Sequence, residues 1–141
     1  MTKIDSNILV TGAAGFIGAA LSKKLIENGI KVVGIDNLND YYDINLKKKR
    51  IEIINQLSLK NGLTWNFYKC DIANETSLKN IFSEFTPKIV INLAAQAGVR
   101  YSLTFPKKYI TSNLVGFANI LENCIKYKVE HLIFASSSSV Y

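Results

Sequence analysis

Short runs of β-branched and other apolar residues alternate along this chain with stretches whose apolar residues return at helical spacing. The predicted strands are Asn7 to Thr11 (NILVT), Lys31 to Asp36 (KVVGID), Trp65 to Lys69 (WNFYK), Ile89 to Asn92 (IVIN) and His131 to Ala135 (HLIFA). Most are continuously apolar, the pattern expected where helices cover both faces of a sheet. Between them, Phe16, Ile17, Ala20, Leu21 and Leu25 make one helical face. Leu46 to Leu57 reads as a second helix, and Ile110, Leu114, Phe117, Leu121 and Cys124 recur at four, three, four and three residues, a stripe predicted to face a core. Pro106 suits the first turn of that last helix. The order βαβαβαβαβ predicts an α/β fold, a doubly wound parallel sheet. Four serines, Ser136 to Ser139, then Val140 and Tyr141 follow the fifth strand. Such sheets continue into a second half, so residues 1–141 are expected to be the N-terminal part of the domain, incomplete at the C-terminus.

Composition narrows the class. With 141 residues, 48% apolar and 20% charged, the chain reads as one globular domain and not as disorder. Cys70 and Cys124 need not form a disulfide framework in a domain of this size, and a reducing, cytoplasmic setting is the simpler expectation. No apolar run is long enough to span a bilayer, and Met1 to Ser6 lacks the layout of a secretory signal, so no membrane partner is expected. The formal charge of +6 suits phosphate-bearing ligands. The second predicted helix carries the basic run Lys47, Lys48, Lys49 and Arg50, but a charge run on a helix is ordinarily a solvated face, and no nucleic-acid partner is expected from it. No metal is expected either.

The first predicted strand runs into Gly12, Ala13, Ala14, Gly15, Phe16, Ile17 and Gly18, a GxxGxxG that opens a helix. Glycines so placed permit a tight turn, close approach of backbone to a pyrophosphate, and close packing of helix on strand. The free N–H groups and positive end of the helix then face the phosphates. Asp36 stands 18 residues beyond Gly18, at the end of the second strand, where a carboxylate accepts hydrogen bonds from an adenosine ribose and repels a ribose phosphate. The strand, loop, helix and acid together predict a Rossmann-like site for NAD; a bare tight turn with Asp36 capping a loop is the plainer alternative.

The GxxGxxG loop, Asn92-Leu93-Ala94-Ala95 after the fourth strand and the serine cluster after the fifth resemble the extended short-chain dehydrogenase/reductase family over the whole chain. Within it, DNLNDYY (Asp36 to Tyr42), NLAAQAGVRYS (Asn92 to Ser102) and FASSSSVY (Phe134 to Tyr141) are most similar to the branch that epimerises UDP-sugars at C4, UDP-glucuronate above all. The resemblance implies that Phe16 and Ile17 offer backbone to the pyrophosphate, with Gly12, Gly15 and Gly18 shaping the loop. It implies that Asp36 and Asn37 hold the ribose, Asp71 and Ile72 flank the adenine, and Leu93, Ala94 and Ala95 line the dinucleotide. Asn113 matches an asparagine near the cofactor; a buried Asn needs partners, and a local backbone carbonyl is its bland alternative.

Ser137 matches the family's catalytic serine, which bonds the sugar 4-hydroxyl, and Ser138 and Ser139 are candidate substrate contacts. The chemistry implied is transient oxidation at C4 and return of hydride to the opposite face, with NAD as cofactor and a UDP-sugar as substrate. The proton is taken by a tyrosine of a YxxxK motif, which lies beyond Tyr141; these 141 residues are therefore expected to be inactive on their own. Arg100 is the candidate partner for a sugar carboxylate, against a plain surface arginine or ion pair. Family members often dimerise through a helix corresponding to Pro106 to Tyr127, so a homodimer is an expectation. A UDP-glucose 4-epimerase, a 4,6-dehydratase and a non-catalytic dinucleotide-binding module are the rival readings.

Overall fold

The structure, a computed structural model, describes residues 7–137. Five strands, β1 (Ile8–Thr11), β2 (Val32–Asp36), β3 (Trp65–Lys69), β4 (Ile89–Asn92) and β5 (His131–Phe134), form one sheet in the order β3-β2-β1-β4-β5. Every pairing is parallel, with Ile8 opposite Val32 on one side and Ile89 on the other. The helices are α1 (Phe16–Glu27), α2 (Ile44–Asn61), α3 (Glu75–Phe85), α4 (Val99–Thr104), the single turn α5 (Pro106–Tyr109), a π-helical stretch over Ile110–Gly116, and α6 (Phe117–Lys126). The expected α/β doubly wound architecture is what the chain adopts, with strand bounds within a residue of those predicted. Among the described residues no helix is long and apolar enough to cross a membrane.

Period-two alternation within the strands splits the core into two layers. Ile8, Val10 and Val32 pack on one face with Ile26 of α1 and Ile54 of α2. Leu9, Val33 and Ile35 pack on the other with Leu78 and Phe82 of α3 and Ile120 of α6. Local chemistry sets the helix ends. Asp43 caps α2 by accepting from the Asn45 N–H at 2.8 Å, and Gly62 closes it in the left-handed region (φ 61°). Asn74 caps α3 through the Ser77 N–H at 2.9 Å.

Two predicted faces are corrected. On α1 the buried residues are Gly18, Ala19, Ser22 and Ile26; of the predicted face, Leu21 and Leu25 pack half-buried against the core, while Phe16, Ile17 and Ala20 lie on the exposed side. At its start the inward position is a glycine because the helix approaches the loop closely: a Cβ on Gly18 would meet the Gly12 carbonyl oxygen. The stripe at 110, 114, 117, 121 and 124 does not face the core as a unit: Ile110, Leu114 and Leu121 are exposed, Phe117 is half-buried, and Cys124 is buried. The buried residues are Gly116, Asn119, Ile120, Asn123 and Cys124. The π-helical stretch, with its i→i+5 bonding, carries extra residues per turn and so rotates the face counted on a uniform α-helix. Two asparagines thereby reach the core side and are satisfied there, Asn119 Nδ2 by the Ile72 carbonyl at 2.9 Å and Asn123 Nδ2 by the Asn119 carbonyl at 2.8 Å.

Candidate functional site

In an open parallel sheet, ligands bind beyond the carboxyl ends of the strands where the strand order reverses. That point here lies between β1 and β4, and a cleft of ≈ 320 Å³ opens over it. Gly12, Gly15, Phe16, Ile17 and Gly18 line it from β1 and α1, Asp36 and Asn37 from β2, Asp71 and Ile72 from β3, and Leu93, Ala94 and Ala95 from β4. The sequence thus singled out residues that four separate strand ends bring to one place.

The loop after β1 is folded as tightly as backbone allows. Gly12 has φ +66°, and a Cβ there would stand 2.9 Å from the Ala94 amide nitrogen; a Cβ on Gly18 would stand 2.1 Å from the Gly12 carbonyl oxygen. Both positions exclude any side chain. The α1 N-terminus has no side-chain cap, so its first-turn N–H groups keep the hydrogen-bonding capacity that helix geometry leaves unused. Phe16 and Ile17 are 80% and 64% exposed beside it, which places large apolar surface at the mouth of a polar cradle. A dinucleotide pyrophosphate fits this donor set.

Asp36, 7% exposed, is fixed from both sides: Oδ2 accepts from the Ala14 N–H at 3.2 Å and Oδ1 from the Leu38 N–H at 2.8 Å. Asn37 Nδ2 donates to Asp71 Oδ2 at 2.9 Å, and Asp71 Oδ1 accepts from the Ala73 N–H at 2.9 Å, so the ends of β2 and β3 are tied. On the other side of the cleft, Thr11 joins β1 to β4. Its hydroxyl donates to Asn92 Oδ1 at 2.6 Å and accepts from the Leu93 and Ala94 N–H groups at 3.1 and 3.0 Å. Thr11 is fully buried, and sequence reasoning passed it over as one more strand residue.

The cleft continues along Leu93 to Ala97 into a second groove lined by Asn113, Phe117, Phe134 and Ser137. Asn113 stands in the π-helical stretch and grips the backbone of Gln96: Oδ1 accepts from its N–H at 2.8 Å and Nδ2 donates to its carbonyl at 3.1 Å. Its partner is 17 residues away, so the local-carbonyl alternative does not hold. The loop after β2 reaches across toward the same segment, where the Tyr41 ring lies 4.8 Å from that of Tyr101. Arg100 is exposed on α4 and lines neither groove. Ser138, Ser139 and Tyr141 lie outside the described residues.

The basic run divides, which corrects the reading of it as a solvated face. Lys48 and Lys49 are exposed, but Lys47 is buried and lines the cleft, and Arg50 is half-buried with Nη1 donating to the Ala14 carbonyl at 3.2 Å. The signal available in the sequence was the i,i+3 spacing of Lys47 and Arg50, which puts both on one side of a helix.

The family model described as NAD dependent epimerase/dehydratase family matches residues 8–141. The protein CapI of Staphylococcus aureus is 50% identical over 134 residues, 95% of this chain and 38% of that protein. A UDP-glucuronate 4-epimerase of Thermodesulfobacterium geofontis is 45% identical over 94% of this chain and 40% of its own length. Among solved structures, the UDP-glucose 4-epimerase of Thermotoga maritima with UDP-glucose superposes with a TM-score of 0.76 at 37% identity, covering 93% of this chain and 38% of that one. The chain therefore spans about two fifths of the length of the curated relatives it matches.

Proposed function

This chain belongs to the NAD-dependent epimerase/dehydratase family, and from that premise we propose that it forms the dinucleotide-binding part of a UDP-sugar 4-epimerase acting on UDP-glucuronate. The observation that carries the reading is the meeting, in one cleft, of an uncapped glycine-rich helix start with the buried Asp36 carboxylate. The cofactor of the family is NAD.

In this reading the amides of Phe16 and Ile17 hold the pyrophosphate, and Gly12, Gly15 and Gly18 keep space for it. Asp36 and Asn37 hold the adenosine ribose, Asp71 and Ile72 flank the adenine, and Leu93, Ala94 and Ala95 form the opposing wall. Bound NAD supplies reversible hydride acceptance at the sugar C4. Ser137, at the continuation of the cleft, binds the sugar 4-hydroxyl and steadies its proton; Asn113 keeps the Gln96 backbone, and with it the groove wall, in place. Ser138 and Ser139 are substrate contacts in the same reading; Arg100, exposed on α4 outside both grooves, is given no part in it. In this reading the base is the tyrosine of a YxxxK motif, a motif that residues 1–141 do not contain, and these residues by themselves are expected to turn over no substrate.

Preference for UDP-glucuronate is supported by the name and 45% identity of the Thermodesulfobacterium relative. The test is chromatographic conversion of UDP-glucuronate to UDP-galacturonate by the full-length protein. Turnover of UDP-glucose in its place would move the assignment to the activity named for the Thermotoga structure. Failure of the protein to bind NAD at all would sink the reading.

A further inference from the structure

Two strands that are not neighbours in the sheet are joined above the cleft by a pair of aromatic rings. β2 and β4 flank β1 on opposite sides, so their ends stand about 10 Å apart at the usual strand spacing, with the glycine loop between them. The loop at 37–43 leaves β2 and crosses this gap. Its base is fastened by Asp36 Oδ1 accepting from the Leu38 N–H and Asn37 Oδ1 from the Asn39 N–H, and its far end by the Asp43 cap of α2. Tyr41, between these fastenings, lines the cleft and sets its ring 4.8 Å from that of Tyr101 on α4, the helix that follows β4.

The far side is shaped to receive it. Gly98 has φ +94°, and a Cβ there would meet the Tyr41 hydroxyl, so only a glycine lets the ring come in. The Tyr101 ring in turn packs 4.7 Å from that of Phe105, and its hydroxyl accepts from Lys108 Nζ at 2.8 Å. Tyr101 itself lines neither the cleft nor the groove beyond it. We propose that the contact of Tyr41 with Tyr101 is a clasp over the nucleotide cleft that must part before a nucleotide enters or leaves, with Tyr101 the positioning residue that holds Tyr41 across the opening. The inference rests on the dinucleotide reading given above. Because the clasp pairs protein with protein, it favours neither the occupied nor the empty cleft; weakening it raises entry and exit by one factor and leaves Kd alone. A side chain that only forms part of the wall would speed exit and leave entry unchanged.

The probe is NADH. Stopped-flow fluorescence on mixing with nucleotide-free full-length protein gives the rate constant of entry, and a chase of the loaded protein with excess NAD gives that of exit. Tyr101→Leu is expected to raise both by about two- to tenfold, the bias that one aromatic pair supplies, with Kd within about twofold of wild type. Tyr101→Phe, which keeps the ring, should exchange like wild type. Tyr41→Leu should also speed entry, and adding Tyr101→Leu to it should bring no further gain, because the pair is already lost. Tyr101→Leu rate constants within about twofold of wild type, faster exit without faster entry, or additive effects of the two substitutions overturn the proposal. If Tyr101→Leu does not fold, Tyr41→Leu decides alone, and entry no faster than in Tyr41→Phe overturns it. Those results with NADH still bound by the wild type refute the clasp and leave the dinucleotide reading standing; absence of NADH binding by the wild type removes both.

Discussion

Replacing Thr11 by valine removes one oxygen and keeps the shape of the side chain, so its effect can be worked out bond by bond. The residue is fully buried, and the hydroxyl makes three hydrogen bonds: one donated to Asn92 Oδ1 at 2.6 Å and two accepted from the Leu93 and Ala94 N–H groups at 3.1 and 3.0 Å. Each is worth about 1 kcal/mol net, and a buried group left without a partner costs more. Leu93 and Ala94 are half-buried, so water recovers part of their loss, whereas Asn92 is 7% exposed and recovers little. The expected destabilisation is about 2–3 kcal/mol, a sizeable share of the roughly 10 kcal/mol typical of a domain this size. Urea denaturation followed by circular dichroism measures it directly, with Thr11→Ser as the control that keeps the hydroxyl. Because the lost bonds fix the wall of the cleft, NAD affinity should fall as well. A Thr11→Val protein within about 0.5 kcal/mol of wild type, or a serine variant as unstable as the valine one, would refute the reasoning.

Gly18→Ala places a Cβ 2.1 Å from the Gly12 carbonyl oxygen; the loop must move, and NAD affinity by fluorescence titration should drop about tenfold or more, with about 1–3 kcal/mol of stability lost. Asn113→Ala leaves the Gln96 N–H and carbonyl without their side-chain partners, and thermal denaturation should show about 2 kcal/mol of loss. Burial pushes the thiols of Cys70 and Cys124 up to about 11 from an ordinary value near 9.0. The unfolded chain therefore releases thiol protons first, and stability present below about pH 9 is lost as pH rises toward about 11; a Cys70→Ala/Cys124→Ala protein should show a flatter stability profile there. The same burial should keep both thiols slow toward a disulfide reagent at pH 8 until the protein is unfolded.

Strands and glycines were legible because their signals are local. A four-residue apolar run with helices on both sides has few uses other than a buried parallel strand, and a GxxGxxG between strand and helix fixes where β1 must end. The residues gathered in the cleft were legible for the same reason, since each sits just past the end of a strand or in the first turn of the helix that follows. What escaped depends on phase along a helix. The extra residues per turn within Ile110–Gly116 rotate everything after them, so a stripe counted from Ile110 to Cys124 names the wrong face. Lys47 was obscured by its neighbours: one buried lysine among exposed ones looks like a solvated run until the Asn39 oxygens and the Asp36 carboxylate supply its partners. Thr11 gave no signal, because a threonine in a strand is ordinary and its three bonds involve residues 81 to 83 positions away.

That separation also bears on how the protein is made. β1 can pair with β2 early, since Ile8 meets Val32, but the partner on its other side is Ile89. At about 5–20 residues per second of synthesis, β1 waits roughly 4–16 s for β4 to be synthesised. Throughout that interval one edge of β1 keeps its backbone N–H and C=O groups without their strand partner, and Thr11 lacks the groups that hold it. The cleft is therefore a late product of folding, assembled after the first layers of the sheet, and slow non-local pairing of this kind leaves the nascent glycine loop dependent on whatever shields an unpaired strand in the cell.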